Sequence, residues 1–230
     1  MRPEAVALKI LPMRRIREHP SAFTLIELLV VMTLIAILLG IGYPAFTSVM
    51  ESARKTQAKN EEQQIVAAVN AYYTDYGKYP LPAGAAADTT YGAGGTSNGE
   101  LFFTLRAVAG GTMNAANAAN PRAIVFIQPP VSKDQTSPRS GIQTVTSIWY
   151  DPWGSPYNVK IDGDYNNQLA INPYTDQPGG QPLYNGVIVW SFGKNGANGG
   201  GPAAAGPPAF TAEGGTLNNF SASGDIISWQ

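Results

Sequence analysis

At 230 residues the chain is long enough for one domain of ordinary size with an anchor or tail. Its formal charge of −1 hides an asymmetry: residues 1–22 carry five basic side chains (Arg2, Lys9, Arg14, Arg15, Arg17) against two acids, and the rest has ten basic and 14 acidic residues, net −4. That mildly acidic body excludes the electrostatic footprint of a nucleic-acid binder, and the absence of cysteine excludes disulfides and thiol catalysis.

The first element is a basic leader followed by an apolar run. From Leu28 to Met50 there are 23 consecutive uncharged residues. A helix over Phe23–Tyr43 would be about 30 Å long, the thickness of a hydrocarbon core. Basic residues precede the run, so the leader is expected on the cytoplasmic side and the body outside. A secretory signal would place a small-residue cleavage site after the run; here the chain continues through Ile41-Gly42-Tyr43-Pro44-Ala45-Phe46 into a charged segment. A plain anchor explains the length but not Glu27, since an intramembrane carboxylate costs about 2.5–3.5 kcal/mol and normally has a partner. Two readings of Glu27 stay open on the residues alone: a first-turn acid at the positive end of the helix dipole, or a paired charge. Gly40, Gly42 and Pro44 form a cluster of helix weakeners.

Ser21-Ala22-Phe23-Thr24-Leu25-Ile26-Glu27-Leu28 resembles the cleavage and methylation signature of type IV prepilins and type II secretion pseudopilins. The resemblance implies cleavage between Ala22 and Phe23 by a membrane prepilin peptidase, which also methylates the new amino terminus on Phe23. Family members usually have Gly before the cut, where this chain has Ala22. It further implies that Glu27 of one subunit neutralises the terminal amine of a neighbour in a filament. Paired, a buried charge is tolerable; unpaired, it is costly, so Glu27 would set the register of assembly. Pilin-like helices also resemble this one at Gly40, Gly42 and Pro44, where they loosen on packing into a filament.

Beyond Pro44 the pattern turns amphipathic. Phe46, Val49, Met50 and Ala53, then Ile65, Val66, Ala68, Val69, Tyr72 and Tyr73, recur at helical spacing, with Glu51, Arg54, Lys55, Lys59, Glu61 and Glu62 between them. Gly77 and Pro80 end the helix near Tyr76, and the tyrosines of YYTDYGKYP read as packing and rim residues. Residues 81–99 and 110–121 read as loops. Leu101, Phe102, Leu105 and Val108 predict a short helix capped by Ser97 or Asn98. Strands are predicted at Ala123–Ile127, Val145–Trp149, Tyr157–Ile161, Leu169–Ile171, Val187–Phe192 and Ile226–Trp229. A long helix followed by strands is an α+β chain, with an antiparallel sheet lying on the helix.

Asp151-Pro152-Trp153-Gly154-Ser155-Pro156-Tyr157 encodes a turn. Asp151 can accept backbone N–H groups, Pro152 fixes the bend, Trp153 is expected to fill the core beneath, and Gly154 can take positive φ. The segment resembles a turn of the major type II pseudopilin. VIVWSFGKNGANGG and GDIISW resemble the closing section of that family, whose intervening loop binds calcium. By position the implied ligands are Asn195, Asn198 and Asp225, with calcium the one cofactor to be considered. Asp162, Asp164 and Asn166 have the alternating spacing of a calcium loop's opening, but position twelve is Pro173, and a hairpin turn is the preferred reading. The sole histidine, His19, lies in the leader, and no phosphate-binding glycine motif appears, so no enzyme is expected.

The resemblance, over roughly residues 14–80 and 149–229, implies a pilin-like α+β subunit most similar to a type II secretion major pseudopilin. Its segments would be a removable leader (1–22), a transmembrane and filament-core helix (23–44), an amphipathic half-helix (45–80), a variable loop-rich region (81–148), and the sheet with a C-terminal loop (149–230). Implied partners are copies of itself, the prepilin peptidase and methyltransferase, an assembly platform protein and ATPase, minor pseudopilins and membrane lipid. The implied location is the inner membrane, single-pass, with the globular domain periplasmic. A type IV pilus or competence pilin and a membrane-anchored binding protein are the alternatives.

Overall fold

The computed structural model describes residues 23–92, 95–169, 182–195 and 225–229. Two compact units divide the chain, one ending at Ser48 and one beginning at Val49. A single helix, α1 (Leu25–Tyr76), contributes to both and continues through Gly40, Gly42 and Pro44. It stops at Gly77, whose φ of 67° breaks the right-handed run and whose N–H closes back on the Tyr73 carbonyl at 2.8 Å.

In the first unit, the apolar side chains of α1 are bare. Phe23 is 77% exposed and Leu25 88%, and the large apolar residues described from Ile26 to Leu39 are exposed as well. Among the described residues no helix is long and apolar enough to cross a membrane.

In the second unit, α1 packs on an α+β, pilin-like body. Burial begins later than the periodicity suggests: Val49, Met50 and Ala53 are exposed, and the packed stripe is Ala58, Ile65, Ala68, Val69 and Tyr72. Acids expected on the polar face are inside instead, Glu61 at 6% and Glu62 at 0% exposure. A helical period locates a stripe but does not say which flanking residues the sheet will cover.

A four-stranded antiparallel sheet has the order β1 (Thr89–Tyr91), β4 (Asn158–Ile161), β5 (Val187–Ser191), β6 (Ile226–Ile227); β2 (Gly141–Ile142) and β3 (Trp149–Tyr150) form a separate ribbon. In register, Val159 faces Val189 and Ile161 faces Val187. Alternation sends these four into the main core with Ile65, Val69 and Tyr72 of α1 and Leu101, Phe102 and Leu105 of α2 (Asn98–Leu105). Ile188 and Trp190 point the other way, into a second cluster with Leu169, Leu183, Phe192 and Ile227. Both faces of the central strands are therefore covered.

Several sequence expectations shift. Ala123–Ile127 is not a strand: Phe126 and Ile127 both donate to the Leu105 carbonyl, so their N–H groups are used on the end of α2. Of Val145–Trp149 only Trp149 is a strand residue, in β3; of Leu169–Ile171 only Leu169 is described, and it bridges Leu183. The loop expected over 81–99 contains β1. Trp149, not Trp153, fills the core, at 0% exposure, edge-on to Phe102 (5.2 Å) and Tyr157 (5.7 Å).

Candidate functional site

Thr24 and Glu27 open α1 as a reciprocal pair. Thr24 donates its backbone N–H to Glu27 Oε2 at 2.8 Å and its hydroxyl to the same oxygen at 2.7 Å, while Glu27 N–H donates to Thr24 Oγ1 at 3.3 Å. With Thr24 just before the first helical residue, this is the Thr-x-x-Glu capping box, which satisfies donors that a helix start leaves open. The capping box places the Glu27 carboxylate beside Thr24, one residue from Phe23, on a helix end that is wholly exposed in the single chain.

The Asp151 turn is built around one buried carboxylate. Oδ1 accepts the N–H groups of Trp153 (2.9 Å), Gly154 (2.7 Å) and Ser155 (2.9 Å), and Oδ2 accepts the Ser191 hydroxyl at 2.6 Å. Pro152 is buried beside it, and Gly154 takes φ 104°. Burial pushes the Asp151 carboxyl up to about 6, against these four bonds, which hold it down. Trp153 is half-buried and aims its Nε1 at Glu51 Oε2, 3.4 Å away on α1. Around this turn the body is tied together by polar side chains that periodicity did not single out. Tyr157 donates to Glu61 at 2.6 Å, and Asn98 donates to the carbonyls of Trp149 and Tyr157 at 3.0 and 2.8 Å. Asn120 accepts from Tyr76 and bonds both Thr104 and Ile124, fixing the 114–124 segment to α1 and α2. Their only local signal was an Asn where a hydrophobic element starts or ends.

Of the three implied calcium ligands, two lie within the described residues. Asn195 ends a short 3₁₀ turn (Gly193–Asn195), Asp225 precedes β6, and Asn198 lies outside the described residues. The Asp162 loop closes on itself: Asp162 accepts the N–H groups of Tyr165 and Asn167, each at 2.7 Å, and Asp164 accepts from Asn166. Asp88 joins the two acids, their oxygens all within 4.8 Å of one another, and Asp88 also pairs with Lys160 at 3.6 Å. Of the four tyrosines in YYTDYGKYP, Tyr72 is buried and donates to the Ala119 carbonyl, whereas Tyr73 and Tyr79 stack at 4.6 Å near the surface, with Tyr165 against Tyr79 at 5.6 Å. Processing residue Ala22 lies outside the described residues.

Residues 19–43 match the family model for the prokaryotic N-terminal methylation motif. The chain is also similar to the fimbrial protein EcpC of Eikenella corrodens, 31% identical over 103 residues, which is 45% of this chain and 64% of that protein. The chain thus spans just under two thirds of the length of that relative. No solved structure matches it.

Proposed function

We propose that the chain is a pilin-like structural subunit that polymerises through its amino-terminal helix after leader removal and methylation of Phe23. The observation that carries this reading is the methylation motif over 19–43, joined to an amino-terminal half of α1 whose described large apolar side chains have no cover in the single chain. About sixteen exposed large apolar side chains are described on α1 between Leu25 and Met50, and these need lipid or other helices around them. Lipid would hold the subunit before assembly, and the helices of other copies would replace lipid within the filament. The pilin-like fold and the similarity to a fimbrial protein support a filament subunit rather than an enzyme.

Within this class, the Asp151 turn favours a type II secretion pseudopilin, working with a prepilin peptidase, platform protein, ATPase and minor pseudopilins in the inner membrane. The fimbrial relative favours a type IV pilus subunit instead. Replacing this gene in its host and scoring secretion against surface fibres separates the two. Loss of secreted enzymes with intact surface fibres supports the first, and the converse supports the second. Deleting Phe23–Pro44 tests the shared reading: a filament subunit loses assembly, whereas an anchored binding protein keeps its ligand.

A further inference from the structure

We propose that the outward face of α1 over residues 56–74 is a seat that receives, in a filament, the bare amino-terminal half of the same helix from a second copy. The side chains exposed over this stretch are Thr, Asn, Gln, Ala and Tyr, and none of them is charged. The acids of the stretch, Glu61 and Glu62, face inward instead, and Lys59 is half-buried with its Nζ on the Ile227 carbonyl. A helix face turned to water normally carries the charges, so this helix has its polarity reversed. Depletion of charge is the mark of the buried centre of a protein interface.

Thr56, Asn60, Gln64, Ala67, Ala71 and Thr74 follow one another at intervals of three or four, which aligns them in one stripe about 27 Å long. Ala67 and Ala71, one turn apart, let another helix come close. Beside the stripe lies a groove of about 580 Å³, lined by Ala53, Thr56, Gln57, Asn60 and Gln64 and by Pro130, whose neighbour Val131 is 56% exposed. Glu61 also reaches the groove, its carboxyl oxygens already held by Gln57 at 2.8 Å and Tyr157 at 2.6 Å. A helix laid here therefore buries no unpaired charge from these residues, the one arrangement that is strongly costly. Amides and hydroxyls cost less to cover and can bond one another.

Two observations select the occupant. In the filament reading, on which the seat rests, the apolar half of α1 has to be covered by other copies; it is uncharged from Leu28 to Met50, and its described large apolar side chains are bare. Its counterpart has to be a long surface free of charge, and residues 56–74 supply one on the same chain. Seat and occupant are different surfaces of one chain, so the contact is heterologous. Each copy offers both, and a contact of this kind repeats from copy to copy into an open fibre when its rotation does not close. Glu27 would fix where a copy stops along its neighbour, and the seat fixes which surface it lies on.

The test uses the full chain in its own host. Ala67→Glu puts a charge in the stripe, and the yield of sheared fibre is expected to fall about tenfold or more, while Ala67→Ser and Val145→Glu, at an 82% exposed site off the helix, stay within about twofold. Melting curves of the purified variants in detergent show that the charge does not act by unfolding. A second arm does not depend on that variant: benzoylphenylalanine at Gln63, on the rim of the stripe, is irradiated in assembled fibres. It is expected to join peptide 23–54 of another copy, a single tryptic product because Arg54 is its first basic residue. Coupling only to the globular part of another copy, or to a different protein, overturns the seat, as does an equal loss of fibre in Val145→Glu. Normal fibres from a folded Ala67→Glu overturn it and leave the filament reading standing, whereas a wild type that makes no fibre overturns both.

Discussion

Thr24 hands both its backbone N–H and its hydroxyl to one oxygen of Glu27, at 2.8 and 2.7 Å. The pairing gives Glu27 a local task, starting the helix, in addition to the assembly task proposed for it. The two tasks need different chemistry. Capping needs an acceptor, which a Gln also supplies. Neutralising a neighbour's amine needs a negative charge.

Substitutions at these positions therefore separate cap from charge. Glu27→Gln is expected to keep the helix start and membrane retention yet lose filaments as fully as Glu27→Ala. Thr24→Ala removes a cap worth about 1 kcal/mol and is expected to lower fibre yield far less. Fibre yield after shearing, scored beside the membrane fraction, checks this; normal fibres from Glu27→Gln would mean that the charge is not used.

Processing is read directly by mass. Protein isolated from its own host is expected to begin at Phe23 and to carry one additional methyl group on its amine. Top-down mass spectrometry decides it, and a chain retaining residues 1–22 contradicts the processing reading.

The Asp151 turn sets up a graded series. Asp151→Ala strands three N–H groups and the Ser191 hydroxyl, and is expected to cost about 3 kcal/mol or more. Asp151→Asn keeps an acceptor toward the three N–H groups, and its cost is expected to be less than half of that. Because burial raises the Asp151 carboxyl to about 6, the stability its neutral form contributes is present at lower pH and is lost as pH rises through that value. Melting temperature against pH should fall between the ordinary aspartate range and about 6 in the wild type and level off above it, and Asp151→Asn should lack that fall.

Two glycines should differ sharply. A Cβ at Gly99 would lie 2.1 Å from the Thr146 carbonyl oxygen, whereas one at Gly77 meets nothing within 4 Å and suffers only from φ 67°. Gly77→Ala is expected to cost about 1 kcal/mol, and Gly99→Ala roughly 3 kcal/mol or more, because backbone has to move. Urea unfolding of the two variants measures the difference.

Where local chemistry decides structure, the residues announced it. Gly77 ends α1, Ser97 caps α2 through the Gly99 N–H at 3.2 Å, and the apolar run Val187–Ser191 became the central strand β5. Where a partner distant in sequence decides, they did not. Thr89–Tyr91 is a strand only because β4 lies beside it, and nothing within its own three residues says so. The two tryptophans of Trp149–Trp153 look equivalent in sequence, yet the reversal at Pro152 sends one into the core and the other toward Glu51. Glu61 and Glu62 read as solvent-facing until the sheet covers them. The candidate site divides in the same way: the Thr24–Glu27 spacing is local and readable, whereas the buried Glu61 carboxylate takes the hydroxyl of Tyr157, 96 residues further along.

The most direct test is a near-atomic map of the assembled fibre. The proposed mechanism requires the Glu27 carboxylate of each copy to lie within about 4 Å of the methylated Phe23 amine of an adjoining copy, inside a core of packed α1 helices. A map in which Glu27 contacts only its own Thr24, with no foreign amine nearby, contradicts it.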